Sequence, residues 1–336
     1  MRVKSTVVVV MATCLAAVTA ACGGSSDGSE ESGGQEIVIS VPGKSIALPA
    51  PWLAEAKGLF EKHGVNVKVV TVQPGTDLAQ LGAGKVDLIM SGLSAGTLNA
   101  IDSGLDLKWV APGYESNPES AMGVYLKDKY FDDDGNLRPD ELKGAQIAVT
   151  QSGSLQDHTI LSALEGSSTK YSDLKVQRLE NVDIFSALEA GKLDGGFLSS
   201  PFYANLSKDA GYQLGMKPFS PSYVLYLAGP STEGKSEELT KFFCAIKEVQ
   251  ADLLEPGFNH DAESLDALTS TLGLSRETIE NDPSPNLFKA DLEMDKAEDF
   301  VASMQANLMK AGFLEYTEPI KGEEFIDRSY IEADCA

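Results

Sequence analysis

Leu81-Gly82-Ala83-Gly84-Lys85-Val86-Asp87 and Leu188-Glu189-Ala190-Gly191-Lys192-Leu193-Asp194 agree at five of seven positions. At the same offset Val67-Lys68-Val69 lies over Leu174-Lys175-Val176. Ile37 to Ser40 lies over Ile147 to Thr150 at nearly that offset. Three ordered matches imply a layout used twice. Around the first copy, Glu36 to Val41 reads as a strand. Pro51 suits the first turn of a helix that runs to about His63 and stops at Gly64. Val65 to Val72 alternates like a strand, Asp77 to Ala83 reads as a short helix, and Val86 to Met90 reads as a buried strand. A loop at Ser91 to Ser94, a helix to about Ser103 and a strand at Asp106 to Ala111 follow. Such alternation predicts an α/β fold with mainly parallel sheets flanked by helices.

Beyond the second copy the pattern changes. Tyr223 to Ala228 reads as a strand. Ser236 to Leu254 then carries Leu239, Phe242, Phe243, Ile246, Val249 and Leu253 on one helical face. Further helices are expected near Ala262 to Leu272, Ser275 to Glu280 and Asp295 to Ala311. This tail has no sheet of its own, so much of it should return to the first half. Two crossings would then join the halves, near Gly113 to Gly123 and near Pro218 to Ala228.

The 336 residues carry 43% hydrophobic side chains, enough for a sizeable core, and a formal charge of −23. No basic run offsets that charge, so a nucleic-acid partner is not expected. The start is a targeting segment. Arg2 and Lys4 precede a nearly uninterrupted run of Val, Ala, Leu and Thr from Thr6 to Ala21, too short for a confident membrane span. Small residues lead to Cys22. Gly23 to Gln35 has no apolar residue, so it is read as a disordered tether, with a flexible reach of roughly 20 Å. Of four cysteines, Cys14 leaves with the signal. Cys244 and Cys335 remain, either as a disulfide or as a buried thiol and a frayed end.

Ile147 to Gly166 reads as a strand, a Gln151-Ser152-Gly153-Ser154 turn and a helix. Ser154 and Asp157 fit a capping box, so the helix should begin at Leu155. Such a turn aims unpaired N–H groups and a positive dipole end at one point, which suits an anion. Its alternative is an ordinary connection. In open α/β sheets ligands bind beyond the carboxyl ends of the strands. The loops singled out there are Gly43 to Ala47, Ser91 to Ser94, Gln151 to Ser154 and Leu198 to Ser200. The candidate ligand contacts are Lys44, Ser45, Ser91, Gly92, Ser94, Ser152, Gly153, Ser154, Leu155 and Ser199. Tyr114 and Tyr223, near the crossings, are candidate aromatic walls. Plain turn chemistry is the alternative for each Ser-Gly loop.

Several stretches carry a resemblance. They are the lipoprotein-like signal to Cys22 and the run from Pro51 to Phe60 with His63-Gly64. Ala83 to Asp87, Ile147 to Ser154, Ala190 to Asp194 and Phe325 to Tyr330 add to it. Together the chain resembles the solute-binding lipoproteins of bacterial ABC importers, in the nitrate, sulfonate and taurine group. Thr19 departs from the family's leucine three places before the cysteine. The resemblance implies a two-lobed, type II periplasmic-binding-protein-like fold with a cleft between the lobes. It implies a signal peptide over 1–21 and a tether over 22–35. Lobe 1 would comprise 36–118 and 224–336, and lobe 2 would comprise 119–223. It further implies lipid on Cys22, a place on the outer face of the bacterial cell membrane, and a monomer that hands a small, anionic ligand to an importer permease. No cofactor and no metal are expected.

The rival reading is an exported serine hydrolase. Gly92-Leu93-Ser94-Ala95-Gly96 matches a nucleophile elbow and stands between a strand and a helix. A His-Gly-Gly oxyanion motif is missing, and the second copy reads Leu198-Ser199-Ser200-Pro201-Phe202 at the equivalent loop. Asp132 to Asn136 is acidic but departs from calcium-loop spacing, so it reads as a turn.

Overall fold

The computed structural model describes residues 34–72, 76–200, 202–282, 286–294, 296–332 and 334–335. The signal segment, Cys22 and most of the tether lie outside these residues. In chain order the strands are β1 (Ile37–Ser40), β2 (Val67–Val70), β3 (Leu88–Gly92), β4 (Lys108–Glu115) and β5 (Gly123–Lys127). They continue with β6 (Gln146–Val149), β7 (Lys175–Arg178), β8 (Gly195–Leu198), β9 (Tyr212–Met216) and β10 (Tyr223–Ala228). They form two sheets with helices around them, ordered β2-β1-β3-β10-β4 and β7-β6-β8-β5-β9.

In the first sheet β1 is parallel to β2, with Ile37 opposite Val67, and to β3, with Ile39 opposite Leu88. β10 runs against both β3 and β4. In the second sheet β6 is parallel to β7 and β8, and β5 runs against β8 and β9. Each sheet is therefore mainly parallel with one reversed strand in the fourth place, the two-lobed α/β arrangement expected. β5 and β9 are not expected from the sequence pattern. Both are short, and each carries a glycine that dilutes its alternation.

The repeated motif is architectural. In each copy a helix stops in a left-handed glycine, Gly84 at φ 65° and Gly191 at φ 66°. Gly84 N–H donates to Leu81 O, and Gly191 N–H to Leu188 O. The closing aspartate then grips the opening strand of its own copy, β1 or β6. Asp87 accepts from Val38 N–H at 2.8 Å, and Asp194 from Gln146 N–H at 3.1 Å. Each carboxylate also meets a lysine: Lys235 lies 2.8 Å from Asp87 and Lys129 2.8 Å from Asp194. One local difference follows from another glycine. The helix expected from Pro51 to His63 is two pieces, Ala50–Ala56 and Leu59–Lys62, because Gly58 adopts φ 67° between them.

The tail returns to the first sheet, as its missing partner strand required. The helix Ser236–Leu253 buries all six residues of its apolar face. Phe242 stacks on Phe60 at 5.4 Å between ring centroids and meets Tyr226 edge-on at 5.9 Å. Loss of a ring buried like Phe242 costs about 3–5 kcal/mol. Cys244 on this helix is joined to Cys335, so the two thiols pair. The chain passes between the sheets from β4 to β5 and from β9 to β10. These passages touch: Ser116 N–H donates to Ser222 O at 2.8 Å, and Ser222 N–H to Ser116 Oγ at 3.0 Å. The helix Ala297–Lys310 packs against Leu155–Ala163 of the second lobe. Among the described residues, no helix is long and apolar enough to cross a membrane.

Candidate functional site

Parallel strands that end side by side leave a crevice beyond their carboxyl ends. Here both lobes contribute such ends to one cavity of about 440 Å³. The first lobe supplies Ser40 at the end of β1 and Pro42 after it, Val72 after β2, and Ser91 and Gly92 at the end of β3. Leu48, Met90 and Val224 give it apolar wall. The second lobe supplies Thr150 and Gln151 after β6 and Glu180 after β7. Asp77, the first residue of the helix Asp77–Gly82, completes the lining. Among the described lining there is no Lys, Arg or His.

Of the expected contacts, Ser91 and Gly92 line this cavity. The others have different occupations. Lys44 turns away: its Nζ donates to Thr271 O at 3.0 Å and lies 5.3 Å from the centre of the Trp52 ring. Ser45 O accepts Leu48 N–H in a tight turn. Ser94 is buried and caps the helix Ala95–Asp102, accepting Thr97 N–H at 3.3 Å. Tyr114 packs edge-on against Phe288, and burial pushes its hydroxyl up to about 12. Tyr223 is buried between Trp109 and Phe300. Ser199 O accepts the N–H groups of Phe202 and Tyr203. Leu155 packs into the larger core.

The turn at Ser152 to Ser154 corrects the expected anion seat. The capping box is present and the helix begins at Leu155. Its donors, however, are taken from within. Asp157, fully buried, accepts Gly153 N–H at 2.6 Å and lies 3.5 Å from Ser154 N. Arg178 Nη2 stands 3.3 Å from both Asp157 oxygens and 3.2 Å from Ser152 Oγ, and Tyr171 donates its hydroxyl to Asp157. Burial and this carboxylate push the Tyr171 pKa well above its ordinary value. The seat already holds an anion, the protein's own. It is also covered: Ala95 N–H donates to Gly153 O at 2.7 Å across the lobes, and a Cβ on Gly153 would lie 2.5 Å from that of Ala95.

Two further ties cross between the lobes. Asp282, buried, accepts Ser200 Oγ–H at 2.5 Å and Tyr203 O–H at 2.7 Å. His158, buried, meets Asn307 Nδ2 at 3.2 Å and Ser303 Oγ at 3.4 Å on the helix Ala297–Lys310. Burial holds its pKa down to about 4, with a smaller opposing pull from Glu165. These contacts also remove the hydrolase reading. Ser94 is a helix cap, His158 belongs to the lobe interface, and His260 sits in the short turn Phe258–His260. No group of acidic, His or Cys side chains among the described residues is arranged to hold a metal ion. Asp132 accepts Asp134 N–H and Asn136 N–H, the turn expected of that acidic stretch.

Asp77 and Glu180 were missed in the sequence. The rule that ligands lie beyond strand ends covers β2 and β7 as well, and the loops singled out came only from β1, β3, β6 and β8.

Residues 50–218, half of the chain, match the model of a family described as NMT1/THI5 like. No curated protein matches the chain. Among solved structures, the chain is similar to the alkanesulfonate-binding protein SsuA from Xanthomonas axonopodis pv. citri bound to MOPS. The TM-score is 0.62 at 19% identity, over 87% of this chain and 98% of that one. It is similar to the periplasmic aliphatic sulphonate binding protein SsuA from Escherichia coli, at TM-score 0.64 and 19% identity, over 87% and 92%. It is also similar to the periplasmic nitrate-binding protein NrtA from Synechocystis PCC 6803, at TM-score 0.65 and 14% identity, over 89% and 87%. At these identities the likeness is one of fold.

Proposed function

The chain belongs to the NMT1/THI5-like family, and from that premise we propose that it is an extracytoplasmic solute-binding protein that delivers a small organic molecule to an ABC importer. It is not an enzyme. The observation that carries the reading is the cavity of about 440 Å³ between the two sheets, built from strand ends of both lobes. A volume of that order suits a small organic ligand. The lobes are read as 36–118 with 224–336, and 119–223. They close on the solute by hinge motion about the paired crossings, and the closed form is what a permease recognises. The named sulfonate and nitrate binders share the fold. Their anionic ligands are not carried over, because the seat that would hold an anion here is filled by Asp157.

Cys22 is proposed to carry lipid and hold a monomer at the outer face of the cell membrane. The small residues before it, the apolar-free tether after it and the paired Cys244 and Cys335 all fit an oxidising compartment outside the cytoplasm. A Cys22→Ala chain should leave the membrane fraction, and equal retention would refute the anchor.

The solute reading is tested by melting the protein in a small-molecule metabolite extract. A ligand that binds only the folded state raises the midpoint. Ser91→Trp, which fills the cavity, should abolish the rise. An equal rise in both proteins would put the site elsewhere, and ester turnover abolished by Ser94→Ala would return the hydrolase.

A further inference from the structure

We infer that the cleft selects a small organic cation, one bearing an ammonium, amidinium or guanidinium group on a partly apolar body. The inference rests on the solute-binding reading above and names the class of solute.

Asp77 opens the helix that follows β2, and Glu180 stands at the N-cap of Asn181–Glu189, the helix that follows β7. Both stand where the helix after the edge strand of each sheet begins. One carboxylate from each lobe lines the same cavity. The cavity is identified by strand ends and family, independently of these acids, so the acids bear only on what it admits.

An acidic chain carries carboxylates on every face, and most of them mean nothing for a ligand. Where the lobes meet, the contrast between acids is informative. Asp157 has Arg178 and Tyr171, and Asp282 has Ser200 and Tyr203. Neither Asp77 nor Glu180 has an ion-pair partner among the described residues. Two basic side chains beside these strand ends are committed: Arg178 to Asp157, and Lys44 to Thr271 and the Trp52 ring. Two like charges that face one cleft, Asp77 half-buried and Glu180 exposed, repel each other. An entering anion adds to that repulsion and an entering cation relieves it. The turn donors that could have reversed this balance are already bonded to Asp157. Leu48, Val72 and Met90 leave room for a hydrocarbon body beside the charge.

The test melts the full chain with solutes matched in skeleton and differing in charge: benzylamine, benzyl alcohol and benzoate, then agmatine, butanol and butanesulfonate. Calorimetry follows on every solute that shifts the midpoint. The cations should raise the midpoint. Asp77→Asn and Glu180→Gln should each weaken them roughly ten- to a hundred-fold, the worth of one charge-assisted hydrogen bond, with little change in the ligand-free midpoint. Raising the salt concentration should weaken binding too. Suppose benzoate or butanesulfonate binds instead, and neither variant weakens it. The cleft then still binds solutes and the cation selection is wrong. No shift with any of these solutes, nor with the metabolite extract, overturns the solute-binding reading and this inference with it.

Discussion

His158 makes the lobe contact sensitive to acid. The residue is fully buried between Leu155–Ala163 and Ala297–Lys310, against Asn307, Ser303 and the Phe219 ring. Burial lowers its pKa from 6.5 to about 4. Glu165, two residues beyond the end of the same helix, opposes this weakly and is itself 3.7 Å from Lys310. Between those two values the unfolded chain binds more protons than the folded one, so stability rises with pH across that window. The contribution is whole above about 6.5 and is lost as pH falls toward 4. A depression of that size is worth about 3 kcal/mol at about 1.4 kcal/mol per unit, and about 2 kcal/mol of it is gone by pH 5. Carboxylates with depressed values, such as Asp140 and Asp194, lose their contribution at lower pH and barely enter this range. Urea unfolding at pH 7 and pH 5 should show that drop in the wild type. His158→Gln keeps a hydrogen-bonding side chain without a titrating group, so its stability, whatever its absolute value, should be nearly flat between the two. Equal slopes in the two proteins would refute the assignment.

Other expected outcomes are more local. Removing the Cys244–Cys335 bond by mild reduction, or by Cys244→Ala with Cys335→Ala, should cost about 2–5 kcal/mol in chemical denaturation, because it closes a long loop of chain. Asp157→Ala leaves buried N–H groups at Gly153 and Ser154 without their acceptor and frees Arg178, so urea midpoints should report a loss of about 3–5 kcal/mol. Gly153→Ala puts a Cβ against Ala95 and keeps a left-handed backbone that costs about 1–2 kcal/mol. Scattering should show a larger radius of gyration for this variant without ligand, and an unchanged radius would mean that the contact does not hold the lobes. Ser94→Ala should cost about 1 kcal/mol, the worth of a helix cap, in thermal unfolding.

The features legible in the chain by itself are those decided within a few residues. The capping box of Ser154 and Asp157, the glycine stops at Gly84 and Gly191, and the apolar stripe of Ser236–Leu253 all depend on spacing along one element. Spacing is written in sequence, so these readings match the structure. The repeat likewise announced two similar halves, because each copy must end a helix and start a strand in the same way. Tertiary structure decided which groups remain available to a ligand. Tyr171 and Arg178, from other elements, hold the Asp157 that takes the neighbouring donors at Gly153 and Ser154, the second already assigned by the capping box. Ala95 covers them from the opposite lobe. Asp77 and Glu180 share a cavity only because the two lobes pack with the carboxyl ends of strands from both sheets on one crevice. Pairing of Cys244 with Cys335 needs the tail to fold back on the first sheet. Local spacing sets how each element starts, stops and presents a face. Which bases, carboxylates and thiols meet across elements is set by contacts between residues far apart in the chain, and no short window along the sequence contains both partners.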